Sequence, residues 1–147
     1  MSARTYSARM WTAAALAGVV LVGAFAIPAF ASGKPTAKPT SITLKASKAT
    51  VAPKHKVSLT ATLKSGKSPL ADEQLCLQSR TPSTTGGWSS WGSCANFASL
   101  TNSKGQVGVN GVVPGNKKGA KTQYEVVFPG ATGYKASHSP VITVTVS

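Results

Sequence analysis

Strict two-residue alternation governs most of the chain after residue 40. Ile42, Leu44 and Ala46 alternate with Thr43, Lys45 and Ser47. Val57, Leu59, Ala61 and Leu63 alternate with Ser58, Thr60, Thr62 and Lys64. Tyr124, Val126 and Phe128 repeat the pattern, as do Ile142, Val144 and Val146. In a strand successive side chains point to opposite faces, so each run describes a strand with one buried side. No segment beyond residue 40 carries a helical period. Turn residues fall between the runs: Ser65-Gly66-Lys67, Thr85-Gly86-Gly87, Ser103-Lys104-Gly105, Pro114-Gly115-Asn116 and Pro129-Gly130. Short strands punctuated in this way predict an all-β sandwich.

The first 31 residues read differently. Arg4 and Arg9 precede an uncharged apolar stretch from Trp11 to Ala26, and Ala29-Phe30-Ala31 is a small-x-small cleavage sequence. These are the parts of a secretory signal peptide. The competing reading is a retained anchor, but the apolar run is short of the ~20 residues that span a bilayer. Residues 32–41, SGKPTAKPTS, lack apolar periodicity and predict a flexible Pro/Lys/Thr linker. The expected organisation is therefore a signal peptide (1–31), a linker (32–41) and one β-sandwich domain (42–147), in a protein secreted or associated with the cell surface.

Charge narrows the partners. The chain carries 16 Lys and Arg against three Asp and Glu, a formal net charge of +13. Removing residues 1–31 leaves +11, because Arg4 and Arg9 go and no acid does. Such an excess attracts anionic partners from a distance. Lys117, Lys118 and Lys121 crowd one loop, GNKKGAK, and form the densest cluster. They suit the charges of an anionic cell-wall polymer or glycan. They equally suit a solubilising loop and the guarding of strand edges. Nucleic acid is disfavoured, since aromatic residues are not interleaved with the basic ones.

Residues 41–146 resemble the bacterial immunoglobulin-like domains of secreted and surface proteins. The resemblance rests on "VAPKHKVSLTA", on "TNSKGQVGVNGVV" with its T-x-x-x-G hairpin, and on "YEVVFPGATGYKASHS" followed by a closing strand. It implies an immunoglobulin-like sandwich of about seven antiparallel strands and leaves function open, because that fold hosts many unrelated activities.

The segment Gly86–Cys94, GGWSSWGSC, opens like a thrombospondin type 1 repeat. Those modules need three disulfides and arginines stacked between their tryptophans. Here only Cys76 and Cys94 are present, with Arg80 as the single arginine after residue 9. Within an immunoglobulin-like fold, 73–80 becomes one strand and 88–97 its hairpin partner. Leu75 and Leu77 then face inward and Cys76 outward. A Cys76–Cys94 disulfide is symmetric about residue 85 and fits an exported protein. That pairing places Trp91 and Phe97 in the core and leaves Trp88 on the surface. An exposed Trp88 can stack on a sugar ring or enter a partner's pocket, or simply fold over the hairpin and its disulfide.

Catalytic chemistry is not indicated. Asp72 and Glu73 are adjacent at the start of a strand, so their side chains diverge. His55 and His138 read as solvated loop residues. Neither a phosphate-binding glycine loop, a nucleophile motif nor a metal-ligand spacing occurs. No cofactor and no metal are expected. The function expected is a non-enzymatic binding or surface-associated module, with Trp88, Lys117, Lys118 and Lys121 as contact residues. The alternative is a secreted inhibitor or effector that engages a protein target through the stapled hairpin.

Overall fold

The computed structural model describes residues 36–147; the expected signal peptide (1–31) lies outside them. The described residues are all-β, with ten strands: β1 (Ser41–Ala46), β2 (Thr50–Val51), β3 (Val57–Ser65), β4 (Ser68–Pro69), β5 (Cys76–Arg80), β6 (Ala95–Asn96), β7 (Gln106–Val112), β8 (Lys121–Phe128), β9 (Ser137–His138) and β10 (Ile142–Val146). Four of these are two-residue strands.

Two sheets form. In one, β3 is central, with β1 on one side and β7 and β4 on the other. The second runs β2-β10-β8-β5-β6, with β9 pairing the far end of β8. Most pairings are antiparallel, but β2 runs parallel to β10, against the all-antiparallel expectation. The chain thus leaves the first sheet after β1 and joins the second within a few residues.

The alternation drives this arrangement. Ile42, Leu44, Leu59, Ala61, Leu63 and Val107 come from the first sheet and pack in one core with Leu75, Tyr124, Val126, Phe128 and Val144 from the second. Leu59, Leu63, Leu75 and Val126 have no exposed surface. Burying a side chain of this size contributes about 1.5–3 kcal/mol, which makes the inward face the decisive constraint on register.

The T-x-x-x-G sequence has a concrete job. Thr101 is buried, donates from Oγ1 to the Leu70 carbonyl at 2.7 Å and accepts from the Glu73 amide at 3.0 Å. The Asn102 side chain accepts from the Lys104 and Gln106 amides and closes the turn. Gly105 has φ +70°, and a Cβ there would stand 2.3 Å from the Leu63 carbonyl oxygen. Only glycine fits.

Three expectations need correction. The expected linker is not free through its last residues. Lys38 donates to the Gly133 carbonyl and accepts from the Lys135 amide, and Thr40 Oγ1 donates to the Lys135 carbonyl. A segment without apolar period is held here by backbone pairing and by hydroxyl hydrogen bonds. The strand expected over 73–80 begins at Cys76, and its partner over 88–97 is regular only at Ala95–Asn96. His138 lies in a strand, paired with Val127, where a loop was expected.

Candidate functional site: the tryptophan–arginine hairpin and the basic end

The hairpin carrying both tryptophans is irregular for a reason visible in its register. At its base Cys76 faces Asn96 and Leu77 faces Ala95. At its tip Pro82 faces Trp88. Between these points the return limb is two residues longer than the outgoing one. Two backbone bonds locate the surplus. The Ser89 amide donates to the Thr81 carbonyl, and the Gly92 amide to the Ser79 carbonyl. Arg80 is therefore opposed by both Ser90 and Trp91, and Gln78 by both Ser93 and Cys94. These are bulges, which bend a strand and re-aim its side chains.

Bulging overturns the expected placement of the indoles. Trp91 is half-buried and not part of the core; Phe97 is, as expected. Trp88 is likewise half-buried. An odd spacing puts two residues on opposite faces of a regular strand, but here both indoles meet one guanidinium. Arg80 Cζ lies 4.3 Å from the Trp91 ring centre and 5.8 Å from that of Trp88. Both distances are within cation–π range. Arginine against indoles thus occurs without the disulfide set of a thrombospondin repeat.

Cys76 and Cys94 are disulfide-bonded, with their Cα atoms 5.4 Å apart. The bond links Cys76 not to its direct opposite, Asn96, but to a residue two places along the return limb. It therefore fixes the bulged register, and with it the indoles.

The outer face of the second sheet continues the site. Arg80 Nε donates to Gln123 Oε1 at 2.8 Å, and Gln123 Nε2 donates to Thr143 Oγ1 at 3.4 Å. One row away, Gln78 Nε2 donates to Glu125 Oε2 at 2.6 Å, and His138 Nδ1 lies 3.1 Å from Glu125 Oε1. Parity linked Arg80 with Trp88 alone: Cys76, Gln78 and Arg80 share the outward face, while the same count put Trp91 inward. That signal was present in the sequence, but Arg80 was not among the expected contact residues.

The lysine loop belongs to the same end of the molecule. Lys121 opens β8 and pairs with Thr145, two residues before Gln123, the partner of Arg80, and Pro82 follows two residues after Arg80. Pro82 in turn bridges Trp88. Lys117 and Lys118 are exposed in the turn before β8, where the Gly119 amide donates to the Val146 carbonyl. The Lys54 amide donates to the Gly115 carbonyl, which draws the PKHK loop alongside. Lys54, Lys56, Arg80, Lys117, Lys118 and Lys121 therefore gather at one end of the two sheets. Asp72 and Glu73 sit at the other end, beside Thr101, and Glu125 sits mid-sheet.

Other features are less suggestive of chemistry. An apolar cleft of about 210 Å³ opens between the sheets, lined by Leu77, Ala95, Phe97, Ala98 and Val109 among others. It has no charged lining residue. His55 Nδ1 contacts the Pro53 carbonyl within its own loop. Burial raises the Tyr124 hydroxyl pKa above its ordinary 10.0, as befits a core residue. Among the described residues no three His, Cys, Asp or Glu side chains come together as metal ligands. No protein-family model matches the chain, and no curated protein matches it in sequence.

Proposed function

We propose that this chain is a secreted, non-enzymatic, immunoglobulin-like module that binds an anionic polymer of the bacterial cell envelope through its basic end. The observation carrying this reading is a coincidence in space. The densest lysine cluster, the PKHK loop and the tryptophan-bearing hairpin meet at one end, while all three acidic residues lie elsewhere. Lys38, Lys64, Lys67, Lys104 and Lys135 lie toward the end that holds Asp72 and Glu73, so both ends are basic and the end with the hairpin differs in being free of acids. Its cations attract an anionic surface without a neighbouring carboxylate to offset them. The immunoglobulin-like assignment draws support from the strand order. A β1-β3-β7 sheet faces β10-β8-β5, and the first strand divides between the two. Export draws support from the disulfide, a bond that persists in oxidising compartments.

Co-sedimentation with purified bacterial cell walls across a salt series tests the reading. Binding is expected at low salt, falling as salt screens exposed charges. Replacing Lys117, Lys118 and Lys121 together by alanine should weaken it at least tenfold, and Trp88→Ala less. Absence of binding by the unmodified protein at low salt overturns the reading. It would direct the search to a protein target of the stapled hairpin.

A further inference from the structure

Arg80 is the only arginine among the described residues, and its surroundings fix it without neutralising it. Both indoles lie within cation–π distance of its guanidinium, and Gln123 Oε1 takes its Nε–H. Gln123 is itself oriented by Thr143. Among the described residues no acceptor takes an Nη hydrogen of Arg80. The one carboxylate on this face, Glu125, has one oxygen accepting from Gln78 and the other beside His138. The outcome is an oriented, permanently charged fork with unused donors, set against aromatic surface.

We propose that Arg80 is the ligand-reading residue of the basic end and that it receives the carboxylate of an acidic sugar whose ring packs on the adjoining indole. This deepens the proposed function and rests on it. Guanidinium is planar and binds carboxylate through paired parallel hydrogen bonds, which a lysine cannot reproduce. Its neighbouring indoles restrict it before the ligand arrives, so little ordering cost remains on binding. A pyranose ring bearing a carboxylate offers both an apolar face for indole and a planar anion for the fork. A phosphate chain offers charge alone, which the lysines can meet. Lysines should therefore set overall attraction and Arg80 the choice among anions.

Three probes separate these roles: polygalacturonate, its methyl ester, and inorganic polyphosphate. Each is titrated at fixed salt into the full chain, with binding read by calorimetry and tryptophan fluorescence. Polygalacturonate should bind at least tenfold tighter than its methyl ester and quench or shift the tryptophan emission. Arg80→Lys, which keeps the charge, should lose about tenfold toward polygalacturonate and stay within twofold toward polyphosphate. An unchanged cooperative thermal unfolding transition shows that the variant is folded. An Arg80→Lys protein that retains full polygalacturonate affinity overturns the proposal. So does wild-type protein that binds polyphosphate but not polygalacturonate, a result that leaves the basic end as an anion-binding surface. Failure to bind either polymer overturns both readings together.

Discussion

The turn at residues 102–105 and the hairpin tip at residues 81–92 both reverse the chain, but they are anchored to the fold differently. The first is closed by short-range hydrogen bonds and a glycine that no other residue can replace. The buried Thr101 ties it to Leu70, just after β4, and to the strand approach at Glu73. The second has glycines at its tip, Gly86 and Gly87, with open space around them. It too is closed by short-range hydrogen bonds, from the Ser83 amide to the Gly87 carbonyl and from the Thr85 amide to Ser83 Oγ, but a disulfide and an arginine shared by two indoles, not a buried side chain, hold it to the sheet. A turn built into the core serves the fold. One held from the outside leaves its side chains turned toward solvent.

Substitutions should separate the two. Gly105→Val forces a side chain into a backbone oxygen at a left-handed φ and should cost about 3 kcal/mol or more in denaturant unfolding. A similar substitution at Gly87 should cost far less, since only the strained φ is felt there. Replacing Cys76 and Cys94 together by serine should cost about 3 kcal/mol in the chain-entropy model. It should also change tryptophan emission, because the register that gathers the indoles is no longer pinned. Unaltered emission would mean that the bulges hold without the disulfide. Thr101→Val strips partners from the Leu70 carbonyl and the Glu73 amide and should cost about 2 kcal/mol. Arg80→Ala should cost only about 1 kcal/mol, with a clear fluorescence change. A larger loss of stability would place Arg80 among the structural residues and weaken its assignment to binding.

Much of the fold was legible in the sequence. Alternation over 42–46, 57–64, 124–128 and 142–146 marks strands whose apolar sets are the ones found in the core. The disulfide was legible too, although the symmetry used to find it holds at the tip and not at the base. Trp91 was misplaced because parity counting assumes an uninterrupted strand. Ser89, Ser90, Gly92 and Ser93 have no apolar side chain to resist a slip, so two extra residues enter the return limb unannounced. The parallel β2–β10 pairing was hidden for a related reason: two residues are too few to show a period. The convergence of the lysine loop with the hairpin depends on long-range register, which no local pattern contains.

The division of the first strand between the two sheets has a mechanical consequence. β2 lies parallel to the C-terminal strand β10, with the Thr145 amide bonded to Ala49 and the Ser147 amide to Val51. Tension applied between the two ends of the domain pulls these strands past one another. The bonds are then loaded together in shear instead of opening one at a time. A pull on both chain termini would load the β1–β3 pairing together with that small parallel clasp, whereas a load entering through the tryptophan hairpin would pass into β5 and its pairing with β8.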